Sequence, residues 1–277
     1  MENSLKRTLF FSLILASALI TAPIQAHDQG TGPSDMPEHL EQSASLGNGT
    51  VRTYVRVDKV KDPATNLKKP LELGVEVSEA AMKSLPVEGT TLMLDFPRQA
   101  RHMPFQLMML DWNPHGHEPA GIYDKPHFDF HFYIQDLEDI MQILPGPCFG
   151  LACDVYDKAR KPVPEQYLPQ GYIDVGSVVP YMGNHLIDPT SPEFNGQQFT
   201  RTWLYGVYDG EITFYEPMIT RESLVTQPNQ CVTLKLPQQY AQSGYYPTRS
   251  CTQFDRKERV YRVSLQDFVY RSTPWHP

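Results

Sequence analysis

From Val51 onward apolar and polar residues alternate with a period of two. Val51, Thr53, Val55 and Val57 stand against Arg52, Tyr54 and Arg56, and Leu71, Leu73, Val75 and Val77 repeat the pattern after a turn containing lysine and proline. Successive side chains of a strand point to opposite faces, so both stretches predict half-buried strands. The same reading predicts strands over 91–96, 105–112, 127–134, 172–179, 199–208, 211–216, 231–236 and 259–265. Asp209 and Gly210 between two of these tolerate positive φ and predict a tight hairpin. Two short helices are expected, over 78–85 with Ser78 as cap and Pro86 as stop, and over 136–144 closed by Pro145. Many short strands punctuated by 25 prolines indicate a mainly β fold, an antiparallel barrel or sandwich with a few short helices. No break in composition divides residues 50–270, so residues 50–277 read as one β-rich domain.

The stretch before it has a different character. Residues 1–26 join Lys6 and Arg7 to an apolar run and end on Ala26, the pattern of a secretory signal peptide. The run is too short for a bilayer span of about 20 residues. Residues 27–49 carry glycine, proline and polar residues without an apolar period and read as a flexible arm, order beginning near Thr50. These features predict an exported protein, periplasmic or extracellular. The whole chain has 24 basic and 32 acidic residues, net −8; without Lys6, Arg7 and Glu2 the counts become 22 and 31, net −9. An acidic chain without basic blocks argues against nucleic acid and against anionic membrane as partners. Four cysteines in an exported chain favour disulfides, Cys148 with Cys153 and Cys231 with Cys251, because each pair lies in one local segment. Ligation of a metal by Cys148 and Cys153 is the alternative.

Candidate chemistry is concentrated in one place. Four of the nine histidines, His115, His117, His127 and His131, fall within seventeen residues together with Asp129. Imidazoles and carboxylates gathered in this way are the usual ingredients of a transition-metal site. As a strand, 127–134 sets His127, Asp129, His131 and Tyr133 on one face and Phe128, Phe130, Phe132 and Ile134 on the other. His127 and His131 then lie about 13 Å apart at about 3.3 Å per residue, too far to share one ion unless the strand bends. As a helix the pair would meet, but four aromatics in seven residues favour the strand. His115 and His117 in an extended segment would point the same way. His185 adds an imidazole in a turn-rich setting, and Glu216 shares an apolar face with Ile212 and Phe214. A carboxylate there needs a neutralising partner: a metal, a histidine, or an arginine such as Arg201. Any one of these histidines is more readily a surface or hydrogen-bonding residue; the group together favours ligation.

The set Gly116-His117-Glu118-Pro119, Pro126-His127-Phe128-Asp129-Phe130-His131-Phe132-Tyr133, Met182-Gly183-Asn184-His185 and Tyr205-Gly206 to Glu216-Pro217-Met218 resembles a family of uncharacterised secreted bacterial proteins, over about residues 50–226. That resemblance implies no activity. A looser similarity, through His115, His117 and His185, is to cupins, β-barrels that hold an ion with three histidines and a glutamate. Gly121 and Ile122 stand where the cupin glutamate would follow. Two functions are therefore expected. One is an exported protein that binds a divalent transition metal, zinc by default, through some of His117, His127, His131 and His185, converging on one shared point, with Glu216, His115 or Asp129 completing or supporting the shell. The other is a non-enzymatic binding or assembly protein whose histidines and tyrosines line a pocket for a small-molecule ligand or a homo-oligomer interface. A serine nucleophile motif, a phosphate-cradling glycine loop and a CxxC pair are absent from the sequence.

Overall fold

A computed structural model describes residues 40–273, all of them within the second of two units, 37–277, the first being 1–36. In chain order the strands are β1 (Ser43–Leu46), β2 (Gly49–Lys61), β3 (Lys68–Ser78), β4 (Thr90–Asp95), β5 (Leu107–Asn113), β6 (His127–Tyr133), β7 (Pro145–Gly146), β8 (Gly150–Leu151) and β9 (Ile173–Val179). They continue with β10 (Gly183–Ile187), β11 (Arg201–Tyr208), β12 (Glu211–Thr220), β13 (Gln230–Thr233), β14 (Gly244–Tyr246), β15 (Arg249–Asp255), β16 (Val260–Gln266) and β17 (Val269–Arg271). Four short helices, α1 (Glu79–Lys83), α2 (Leu137–Met141), α3 (Cys153–Ala159) and α4 (Arg221–Thr226), join them. No helix among the described residues is long and apolar enough to cross a membrane.

The strands form two open antiparallel sheets, ordered β1-β2-β3-β16-β15-β13 and β4-β5-β6-β12-β11-β10-β9, with two small ribbons, β7-β8 and β14-β17. Neither sheet closes on itself, so the barrel alternative gives way to a sandwich-like arrangement. The period of two explains the packing. Val51, Leu73, Val75, Val77, Val263 and Leu265 of the first sheet share one core with Leu94, Met108, Leu110, Phe128, Phe130, Phe132, Tyr205, Tyr215 and Ile219 of the second. Phe128, Phe130 and Phe132 are completely buried there, and the helical alternative for residues 127–134 is excluded.

Several expectations shift for local reasons. The signal-peptide reading of residues 1–26 lies outside the described residues, as does the arm up to residue 39. The arm reading of residues 40–49 is corrected: β1 pairs with β2, Leu46 against Gly49, and Leu46 is buried. An edge strand that offers the core so little leaves no periodic trace. Leu71 is exposed because the β2-β3 register slips between Arg56 and Val57 and Pro70 takes the inward position. Pro217 does not end β12, which runs on to Thr220; the ladder to β6 is simply interrupted at Glu216 and Pro217. Asp209 (φ 51) and Gly210 (φ 82) turn the β11-β12 hairpin as expected. Both disulfides have the expected pairing, Cys148–Cys153 and Cys231–Cys251.

Candidate metal centre

The outer face of the second sheet is not left to solvent. Two apolar clusters cover it. One gathers Leu107, Met109, Tyr133, Ile140 and Phe214, and the other Tyr123, Phe199, Leu204 and Met218. The polar side chains of β5, β6, β10 and β12 lie on this same face: Asp111 and Asn113, His127, Asp129 and His131, His185, and Glu216. Burying so many polar groups is costly unless each finds a partner.

They find partners in two sets of three. In the first, Asp129 stands between two imidazoles, with His127 Nε2 3.1 Å from Oδ1 and His117 Nε2 3.2 Å from Oδ2. In the second, Glu216 does the same, with His131 Nε2 3.3 Å from Oε1 and His185 Nε2 3.7 Å from Oε2. The ligand atoms of each set, His117, His127 and Asp129 or His131, His185 and Glu216, lie within 4.8 Å of one another. The second set is wholly buried, whereas the His117 side chain is 39% exposed and opens the first to solvent.

Sheet register produces this geometry. The β12-β6 pairing of Phe214 with Tyr133 and of Met218 with Asp129 carries Glu216 opposite His131. His185 is one strand further away, across β11, and the strand between presents Gly206 to it. A side chain on Gly206 would strike the Phe214 ring, its Cβ falling 2.0 Å from a ring carbon. Without one, Phe214 packs edge-on against both His131 (5.0 Å between ring centroids) and His185 (5.3 Å) and fixes their planes. His117 hangs from a loop that closes where Gly116 (φ 71) passes so near the Tyr123 carbonyl that a Cβ would sit 2.1 Å from it. That left-handed turn also separates His115 from His117: His115 is exposed and joins neither set.

Every imidazole is held by its other nitrogen. His117 Nδ1 donates to Glu118 O (2.7 Å), His127 Nδ1 to Lys125 O (2.6 Å) and His185 Nδ1 to Ser177 O (2.9 Å). His131 Nδ1 lies 3.3 Å from Met109 O and 3.4 Å from Asp111 Oδ2. Each ring thus turns Nε2 toward a carboxylate. Asn113 Nδ2 donates to Asp129 Oδ2 (2.7 Å), and the Thr91 hydroxyl donates to Asp111 Oδ1. His127 Nε2, Asp129 Oδ1, Glu216 Oε2 and Asp111 Oδ2 are nonetheless buried without a hydrogen bond.

The electrostatics follow from this packing. Burial opposes charge on His131, but the Glu216 carboxylate outweighs it and the pKa rises to about 9. At His117 burial is likewise outweighed, here by Asp129, and the pKa is again raised to about 9. At His185 burial prevails over Glu216 and lowers the pKa. Asp129 is held well below the usual carboxylate range: burial would raise it, but the hydrogen-bonding His117 ring and the neighbouring His127 ring win. Asp111 is pushed up to about 6 by burial, with His131 and Thr91 acting against the shift.

Of the seven residues singled out from the sequence, six are brought into the two sets and His115 is not. The single shared point expected for them is corrected: the structure divides them between two, because His127 and His131 stand four residues apart on one strand. His185 sits on β10 rather than in a turn, its strand hidden by the left-handed Tyr181 and Gly183 just before it. Glu216 shares its face with Phe214 but not with Ile212, because a bulge at Gly206/Val207 rotates the strand between them. Arg201 is not its partner. It points to the inner face and donates from Nη2 to Thr252 Oγ1 (3.0 Å). Asp111 and Asn113 were missed; a carboxylate in the apolar run Leu107–Trp112 was the available signal. Three clefts in the structure are lined elsewhere, the first by Tyr167, Tyr215, Tyr240 and Tyr246 among others, and no member of either set lines any of them. Compared with known proteins, the chain matches no family model, no curated protein and no solved structure.

Proposed function

We propose that this is an exported metal-binding protein that holds a divalent transition metal, zinc by preference, at His131, His185 and Glu216. The observation that carries the reading is a set of distances. Hydrogen bonds between a charged imidazole and a carboxylate are usually about 2.7–2.9 Å long. The Nε2 to carboxylate separations here are 3.3 and 3.7 Å. Two ligands bound at about 2.0–2.1 Å to a tetrahedral ion stand about 3.4 Å apart. The three side chains are therefore spaced as the corners of a coordination shell rather than as a hydrogen-bonded chain.

The second support is orientation. Metal-bound histidines almost always donate their remaining N–H to a carbonyl or carboxylate, which fixes the tautomer and presents a lone pair to the ion. His185 does so through Ser177 O, and His131 has both Met109 O and Asp111 at its Nδ1. Two imidazoles and a carboxylate make a borderline donor set that suits zinc. An ion there would tie β6, β10 and β12 together beneath the Phe214 ring. The two disulfides accord with an oxidising, exported setting.

Elemental analysis of protein purified without a histidine tag tests the reading, beside the His185→Ala variant. One equivalent of metal bound by the parent and missing from the variant supports it. A parent that carries no metal, and takes up none when zinc is added to the metal-free chain, overturns it.

A further inference from the structure

We infer that His117, His127 and Asp129 form a second metal position, separate from the buried one and open to solvent, so that the protein carries a pair of ions along β6. The inference rests on the reading of the buried site given above, and it concerns different ligands.

Geometry requires two positions rather than one. Asp129 and His131 are two residues apart on the same face of β6, and His127 and His131 are four apart, about 13 Å along an extended strand. One ion cannot bridge that length, yet each end has its own pair of imidazoles and its own carboxylate. At the His127 end the two imidazoles flank one carboxylate: His127 Nε2 lies 3.1 Å from Asp129 Oδ1, and His117 Nε2 hydrogen-bonds Asp129 Oδ2 at 3.2 Å. His127 is completely buried, its Nδ1 is committed to Lys125 O, and its Nε2 has no hydrogen bond. Asp129 Oδ1 facing it has none either. An imidazole lone pair and a carboxylate lone pair aimed at each other in a buried site call for a cation between them.

Charge balance points the same way. Asp111 and Asp129 are directly paired across β5 and β6, and like charges placed so destabilise a sheet. With Glu216 they make three largely buried carboxylates on one face, and their ion-pair partners among the described residues are the four histidines alone, without a lysine or arginine. A single divalent ion at Glu216 leaves Asp129 with two imidazoles and the neutral Asn113 amide as partners. A second ion neutralises it.

The two positions differ in kind. His131, His185 and Glu216 are enclosed, whereas His117 is 39% exposed and sits on a loop, so the outer ion has three protein ligands and a free side toward solvent. That is the arrangement in which zinc keeps a bound water and acidifies it. The outer position therefore exchanges its ion more readily and is the one at which a small ligand oxygen can reach metal.

Titration of the metal-free full chain with zinc against a competing chromophoric chelator tests this. The expected result is two equivalents per chain, the second weaker than the first. His117→Ala, a change at a partly exposed loop ring, should weaken only the second equivalent, by at least tenfold, with the first equivalent keeping its parental affinity. Cobalt substitution supplies a second readout: the second equivalent should give visible bands that change when phosphate is added, and the first should not. One equivalent in the parent, or two equally tight equivalents in His117→Ala, overturns the inference while the buried site stands. No bound zinc at all overturns both.

Discussion

Replacing Glu216 by glutamine separates a metal ligand from a salt-bridge partner. The amide has the shape of the carboxylate but neither its charge nor its affinity for a transition metal. Structural zinc in small four-ligand sites contributes about 10–16 kcal/mol, or about 3 kcal/mol per ligand, so losing one corresponds to an affinity about a hundredfold lower. At a fixed free zinc concentration that saturates the parent, a hundredfold weaker site gives up about 2.7 kcal/mol of linked stability. For a unit of this size that lowers Tm by about 5–10 °C. The metal-free proteins should behave differently. Glu216 is 3% exposed and His131 1% exposed, and breaking a buried ion pair usually costs about 3–5 kcal/mol because a charge is left behind. Here His131 can shed its proton, and the amide of glutamine can donate to the Nε2 that is left, so the metal-free Glu216→Gln chain should melt within a few degrees of the metal-free parent. The assay is a pair of calorimetric melts, with chelator and with zinc, beside a competition titration. A variant that keeps zinc at parental affinity refutes the assignment of Glu216 as a ligand. A variant that melts far below the parent in chelator, with zinc stabilising neither protein, makes Glu216 a salt-bridge partner only.

Three further outcomes can be checked. In chelator, Asp129 has a depressed pKa, so the stability it contributes is present above its unfolded value of 3.8 and lost as pH falls through its lower folded value; His117 and His131 are raised to about 9, so theirs is full below 6.5 and lost as pH rises through about 9. Melts across pH should therefore place the metal-free optimum between about pH 4 and 6.5, whereas zinc, which competes with those protons, should stabilise increasingly above pH 6.5; a metal-free chain that gains stability from pH 7 to 9 contradicts this. Gly206→Ala forces the buried Phe214 ring to move, and chemical denaturation should show a loss of about 1–3 kcal/mol together with weaker zinc binding, because the same ring positions His131 and His185. Replacing Cys231 and Cys251 with serine opens a link between β13 and β15 and should cost about 2–4 kcal/mol in the same measurement while leaving metal stoichiometry unchanged, since neither strand carries a ligand.

What the sequence disclosed, and what it concealed, follows from the range over which each interaction acts. Phe128, Phe130 and Phe132 alternate with His127, Asp129 and His131, and this local fact suffices to assign the strand, its two faces and the wide separation of the two histidines in a straight strand. The helix starts at Ser78 and Asp136 were legible because a cap is local too: Ser78 accepts from Ala81 N, and Asp136 from Asp139 N. By contrast α3 begins at Cys153 behind Ala152, which has no capping side chain, so its start carries no such mark. What stayed hidden in the candidate site was non-local in the same sense. Nothing near Asp111 in sequence reveals that β5 pairs with β6 so as to set it opposite Asp129, and nothing near His185 shows that a glycine on the next strand leaves room for Phe214 to reach across. Gly206 looks like a weakness in a β-strand when read alone. In the sheet its lack of a side chain is what allows Glu216, one strand over on one side, and His185, one strand over on the other, to meet. Histidine content suggested a metal, but strand order and a single absent side chain determine that the candidate ligands gather at two points rather than one.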